Sequence, residues 1–115
     1  MKIYLSMPIT GYDQKERFSE AYTLANSLKD AFINAEIITP FHCCPFGVKL
    51  SYGECMKRCI KELMNADMVI FADGWEESRG CKAEMEVAKA CEIEYYIFAD
   101  ISKKEVNEDQ STSVK

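Results

Sequence analysis

Residues 67–91 read DMVIFADGWEESRGCKAEMEVAKAC, and their pattern decides the fold. Asp67 to Ala72 is a strand candidate whose centre, Met68-Val69-Ile70-Phe71, is continuously apolar instead of alternating. Such a run is expected to be covered on both faces, as in a parallel sheet between helix layers. The polar loop Asp73 to Gly80 then leads into a helix that starts near Gly80. Its inward stripe reads Glu84, Val87, Ala88 and Cys91, with Lys82, Glu86 and Lys89 on the outer face.

Working outward, the same alternation of short apolar runs and helical stretches repeats. Lys2 to Ser6, Glu36 to Thr39 and Glu94 to Phe98 are the other strand candidates, and Tyr95-Tyr96-Ile97-Phe98 is again predicted to be covered on both faces. Asp13 is the expected N-cap of a first helix with the stripe Phe18, Ala21, Tyr22, Ala25, Leu28 and Phe32. A second helix carries Tyr52, Cys55, Met56, Cys59, Ile60 and Leu63 on one side. The order βαβαβαβ predicts right-handed crossovers in a small flavodoxin-like or Rossmann-like α/β/α sandwich with a four- or five-stranded parallel sheet. Residues 1–100 form this domain, and 101–115 are a polar tail expected to be mobile or to dock on a partner subunit. Ligands of such sheets bind beyond the carboxyl ends of the strands, so Met7 to Tyr12, Pro40 to Tyr52 and Asp73 to Gly80 are the loops to watch.

Composition narrows the class. With 115 residues, 48% of them hydrophobic, the chain can bury a core without disulfide staples. Its six cysteines, at 43, 44, 55, 59, 81 and 91, include no CxxC pair, and reduced thiols in a cytoplasmic protein fit best. Fourteen Lys and Arg against 19 Asp and Glu give a net charge of -5, which argues against duplex nucleic acid as a partner. A single small phosphate is still compatible, because backbone N–H groups at a helix N-terminus hold one without lysine. The longest apolar run, Met68 to Ala72, is far too short to cross a membrane, and no targeting segment is expected.

Glu84 is the most informative position, a carboxylate heading a stripe that otherwise faces the sheet. The helix dipole favours its ionised form while proximity to the strand ends desolvates it. Two placements stay open on pattern alone: against the sheet, or bent out to water. The preceding loop, with Gly74, Ser78, Gly80 and the start of a helix, is a reasonable anion cradle, although many such loops are plain connections. Thr10 and Gly11 pose the same choice in the first loop.

Three segments carry a resemblance: Lys2-Ile3-Tyr4-Leu5-Ser6-Met7-Pro8-Ile9-Thr10-Gly11, then Ala66-Asp67-Met68-Val69-Ile70, then Ser78-x-Gly80-x-x-x-Glu84-x-x-x-Ala88. Together, over residues 2 to 98, they resemble the nucleoside 2-deoxyribosyltransferase superfamily, and within it the small DUF4406-type branch. The resemblance implies that Glu84 attacks C1' of a deoxyribose and that Tyr4 orients it. Ser78 matches the serine that the related 2'-deoxynucleoside 5'-phosphate N-hydrolases use for the 5'-phosphate, where the transferases have an aspartate. Gly80, Ile9 and Gly11 match backbone groups of that phosphate pocket, with Thr10 in place of an arginine. The resemblance further implies a homodimer or larger homo-oligomer, for which Tyr95, Tyr96 and the tail are candidate contacts. No cofactor or metal is called for, because the carboxylate supplies the covalent step.

One departure matters. Cys59 stands where the family has an aspartate that protonates or positions the leaving base. A thiol, with a pKa near 8.5, is a poor substitute for that acid. The role passes to His42, Glu54 or Asp73, or else catalysis is lost and binding kept. His42 otherwise reads as a solvated loop residue. Trp75 either stacks on a base or caps the sheet edge. A zinc site among the cysteines is disfavoured by their spacing, and Cys55 and Cys59 read better as small buried hydrophobes. The expected function is cleavage or transfer of the N-glycosidic bond of a 2'-deoxynucleoside 5'-phosphate; a nucleotide-binding module without turnover is the alternative.

Overall fold

A computed structural model describes residues 1–45 and 47–101. The expected tail from residue 102 onward lies outside the described residues. Four parallel strands, β1 (Lys2–Ser6), β2 (Glu36–Ile38), β3 (Met68–Phe71) and β4 (Glu94–Ile97), form one sheet in the order β2-β1-β3-β4. Tyr4 pairs with Ile38 on one side and Val69 on the other, and Ser6 lies beside Phe71. The helices are α1 (Gln14–Ala31), the short α2 (Pro40–Cys43), α3 (Tyr52–Met64) and α4 (Arg79–Ala90).

Strand alternation divides the core into two layers. Ile3, Leu5 and Met7 of the β1 segment and Met68, Ile70 and Ala72 of the β3 segment face α1, where Ala21 and Leu28 cover them. Tyr4, Val69 and Phe71 face the opposite way, against Cys59 and Leu63 of α3 and Met85 and Ala88 of α4. The result is the expected three-layer α/β/α sandwich. Among the described residues no helix is long and apolar enough to cross a membrane.

Local signals fix the ends of the elements. Asp13 caps α1 as expected, its side chain accepting from the Glu16 N–H at 3.0 Å. Ser51 does the same for α3 through the Glu54 N–H. Gly80 lets the start of α4 pack closely on α3: a Cβ there would lie 3.2 Å from the Met56 sulfur, so that side chain would have to shift to admit one.

Several expectations are corrected. Phe18 and Tyr22 of the α1 stripe are 49% and 68% exposed, because α1 covers its sheet face mainly through Ala21 and Leu28, with Leu24, Ala25 and Phe32 packed beside them. Cys91 caps the end of α4 and is exposed, while Cys81 and Met85 are buried. β4 is not covered on both faces: it is an edge strand, and Tyr95 and Tyr96 are each 38% exposed. The segment expected to be a loop from Pro40 begins with α2, and the one from Asp73 contains a 3-10 turn at Trp75–Glu77.

Candidate active site

At the carboxyl end of β1, successive same-face residues Tyr4 and Ser6 point toward α4. Residues two apart in a strand share a face, so both hydroxyls converge on one point. That point is the Glu84 carboxylate. The Tyr4 phenol donates to Glu84 Oε2 at 2.7 Å, and the Ser6 hydroxyl donates to Oε1 at 2.7 Å. Glu84 is only 4% exposed, which resolves the choice left open by pattern: the carboxylate faces the sheet. Ser78 is the N-cap and Arg79 the first helical residue, so Glu84 sits in the second turn, beyond the first turn where the dipole acts most strongly.

Burial pushes the Glu84 carboxyl above its ordinary value, and the bonds from Tyr4 and Ser6 pull it partly back. The Tyr4 phenol is pushed well up by burial first and then by the neighbouring carboxylate, so it stays protonated and able to donate. Among the described residues, no buried side-chain nitrogen or oxygen lacks a hydrogen-bond partner.

Glu84 and Tyr4 form part of the wall of a cavity of about 760 Å3. Its other walls bring together Ile9, Thr10 and Gly11 from the β1–α1 loop, Ser78, Gly80 and Cys81 from the start of α4, and Cys44, Cys55 and Cys59 opposite. Gly11, at φ +88°, holds a left-handed turn that an L side chain would strain. The Ser78 hydroxyl accepts from the Cys81 N–H at 3.2 Å, which leaves the amides of Arg79 and Gly80, at the first two helical positions, without an intrahelical acceptor.

Four candidates fall elsewhere. His42 is exposed on α2 and turned back on its own helix, with Nδ1 accepting from the Thr39 N–H at 2.9 Å. Asp73 is exposed outside the cavity wall. Trp75 packs on Phe71 at 5.5 Å between ring centroids and also lies outside that wall. Glu54 is exposed at the start of α3, where its side chain accepts from the Ser51 hydroxyl. Ser6 is not among the expected site residues, although its spacing from Tyr4 on one strand is a signal for it.

The thiol wall is chemically quiet. Cys43 and then burial push the Cys59 thiol up, against a smaller opposing pull from Tyr4. Burial and then Cys55 push Cys44 up. Protonated thiols are poor nucleophiles and poor metal ligands. Among the described residues no group of three or more His, Cys, Asp or Glu is arranged to hold a metal ion.

A parallel α/β domain with a buried, doubly hydrogen-bonded glutamate at the strand ends is therefore the class of protein. The chain belongs to the DUF4406 family, a domain of unknown function whose model matches residues 1–96. A solved structure of 2-desoxiribosyltransferase from Leishmania mexicana is similar, with a TM-score of 0.61 at 17% identity, covering 84% of this chain and 63% of that one. What the two share is the fold, and this chain spans a little under two thirds of the other's length. No curated protein matches the chain.

Proposed function

We propose that the chain cleaves or transfers the N-glycosidic bond of a 2'-deoxynucleoside 5'-phosphate, with Glu84 as the nucleophile. The observation that carries this reading is the buried Glu84 carboxylate, held at both oxygens by Tyr4 and Ser6 in the wall of a cavity large enough for a nucleotide. A carboxylate fixed in this way has a defined direction of attack, and Tyr4 and Ser6 leave a lone pair on each oxygen for carbon. In this reading the 5'-phosphate takes the amides at the start of α4, the Ser78 hydroxyl and the Ile9-Thr10-Gly11 turn. Among the described residues lining the cavity there is no Lys, Arg or His, so in this reading hydroxyls and helix N-terminal amides alone hold the phosphate. The shared fold with the Leishmania mexicana protein, a 2-desoxiribosyltransferase, supports the same chemistry.

A second reading is favoured by one observation. Cys59, with its tightly held proton, occupies the wall where an acid is expected, which suits a module that binds a nucleotide without turning it over. Incubation with each 2'-deoxynucleoside 5'-monophosphate, followed by chromatography for free base, separates the two. The enzyme reading expects base release that falls about a thousandfold or more in Glu84→Gln, the scale on which loss of a covalent nucleophile is felt. Thermal stabilisation by a nucleotide without any release supports the binding module instead.

A further inference from the structure

The cavity is equipped to attack a sugar and unequipped to protonate what leaves it. Glu84 is the only carboxyl group among the described lining residues, and Glu54, Asp73 and His42 lie outside that lining. Tyr4 already directs its proton to Glu84. The remaining proton-bearing groups are hydroxyls, the Tyr52 phenol, the Gln14 amide and the thiols of Cys44, Cys55, Cys59 and Cys81. Phenols and thiols, with ordinary values near 10 and 8.5, are weak acids at neutral pH.

From this, and resting on the glycosidic reading above, we infer that the substrate class is a nucleotide whose heterocycle carries a positive charge, as in an N7-alkylated purine or a pyridinium ring. Such a leaving group needs no proton. A Glu84 oxygen forms a bond to C1' while the C1'–N bond breaks with both electrons going to nitrogen. Those electrons cancel the ring's charge, and the heterocycle departs neutral. Water then attacks C1', the Glu84 carboxylate is released, and one proton passes to solvent. A neutral base, by contrast, would leave as an anion into a wall of apolar groups and protonated thiols.

The charge balance of the cavity points the same way. With no Lys, Arg or His among the described lining residues, a cationic ring offsets the negative charge of Glu84 and part of that of the ligand's own phosphate. Met7, Met56 and Phe41 supply polarizable and aromatic surface of the kind that accepts a delocalised cation, while the Tyr52 ring already carries the Arg79 guanidinium 5.2 Å from its centre.

The test compares 7-methyl-2'-deoxyguanosine 5'-monophosphate with unmodified dGMP, and nicotinamide mononucleotide with its neutral dihydro form, each corrected for spontaneous release. General-acid catalysis is worth roughly 100- to 10,000-fold, so release from the cationic member of a pair should exceed that from its neutral partner by about 100-fold or more. Which pair responds distinguishes a purine from a pyridinium pocket. Because a methylated purine is intrinsically labile, two more readouts are needed. Release from dGMP should fall as pH rises, since only solvent protonates the base, whereas release from the methylated nucleotide should level off once Glu84 is ionised. Cys59→Asp should raise dGMP release at least about tenfold more than it raises release from the methylated nucleotide. Comparable rates within both pairs, with no fall at high pH for dGMP, would overturn the substrate class while leaving the glycosidic reading intact. Absence of release from all four nucleotides, or release that survives Glu84→Gln, would overturn the glycosidic reading and this inference with it.

Discussion

The two walls of the cavity are unlike. On the β1 and α4 side, polar groups are aimed: Tyr4 and Ser6 at Glu84, and the Ser78 hydroxyl at the Cys81 N–H in the first turn of its helix. On the α2 and α3 side, Phe41, Cys44, Cys55, Met56 and Cys59 offer shape and sulfur, with the thiols turned largely on one another. The first wall is specified by hydrogen bonds, which have direction, and the second by packing, which has volume. In the proposed reading, the first wall holds and attacks one half of a ligand and the second offers an undemanding surface to the other half.

That contrast can be probed by what each wall loses on mutation. Leu63 is fully buried behind the thiol wall, and Leu63→Ala should cost about 2–5 kcal/mol of stability through the cavity it leaves. Denaturant unfolding reads this; a cost under about 1 kcal/mol means that the α3 wall is not held by packing. On the polar wall, Tyr4→Phe removes a hydrogen bond to a charged group, worth about 1.5–3 kcal/mol, so base release should drop roughly 10- to 100-fold. Since that bond pulls the Glu84 titration down, the acid limb of the pH–rate profile should also move to higher pH. An unchanged profile would show that Tyr4 does not hold the carboxylate during reaction.

Glu84 itself gives a smaller, pH-dependent effect. Its folded-state value is raised above the ordinary 4.5, so between that value and the raised one the folded protein binds more protons than the unfolded chain. Stability should therefore decline as pH rises through this window, by at most about 1.4 kcal/mol per pH unit, and Glu84→Gln should remove the decline. Melting curves of the two proteins from about pH 4 upward test the sign. Smallest of all, Ser78→Ala should cost about 1 kcal/mol through loss of the helix cap and weaken nucleotide binding several-fold. Loss of stability without loss of affinity would separate capping from phosphate binding.

Much of the architecture was legible because its signals are local. The continuous run at Met68–Phe71 marks a strand with both faces buried, and Asp13 caps α1 in the structure as it does in the sequence. What misled were patterns whose meaning depends on neighbours. Tyr95-Tyr96-Ile97 reads like Met68-Val69-Ile70, yet β4 borders one strand and β3 borders two, so the same apolarity is half spent on solvent. Phe18 and Tyr22 keep helical spacing with Ala21 and Leu28, but a helix lying on one face of a sheet buries only a narrow stripe. In the site, Glu84 stood out because a carboxylate in an apolar stripe violates its surroundings. Ser6 did not, since a serine ending a strand is ordinary until the carboxylate it serves is placed across from it. His42 was attractive as the lone histidine, and its ring is taken up by the cap of its own short helix.

The pairing of Tyr4 and Ser6 with Glu84 has a consequence for how the chain can vary. A strand shifted by one residue presents its other face, and here that would set Ile3 and Leu5 against the carboxylate. The charge would then lie buried among hydrocarbon with no donor, at a penalty that dominates any gain from the slipped pairing. The acid that α4 sets against the carboxyl end of β1 thus acts as a gauge for that strand, and single-residue insertions or deletions between Lys2 and Ser6 should be among the least tolerated changes in the protein, even where they preserve every apolar residue.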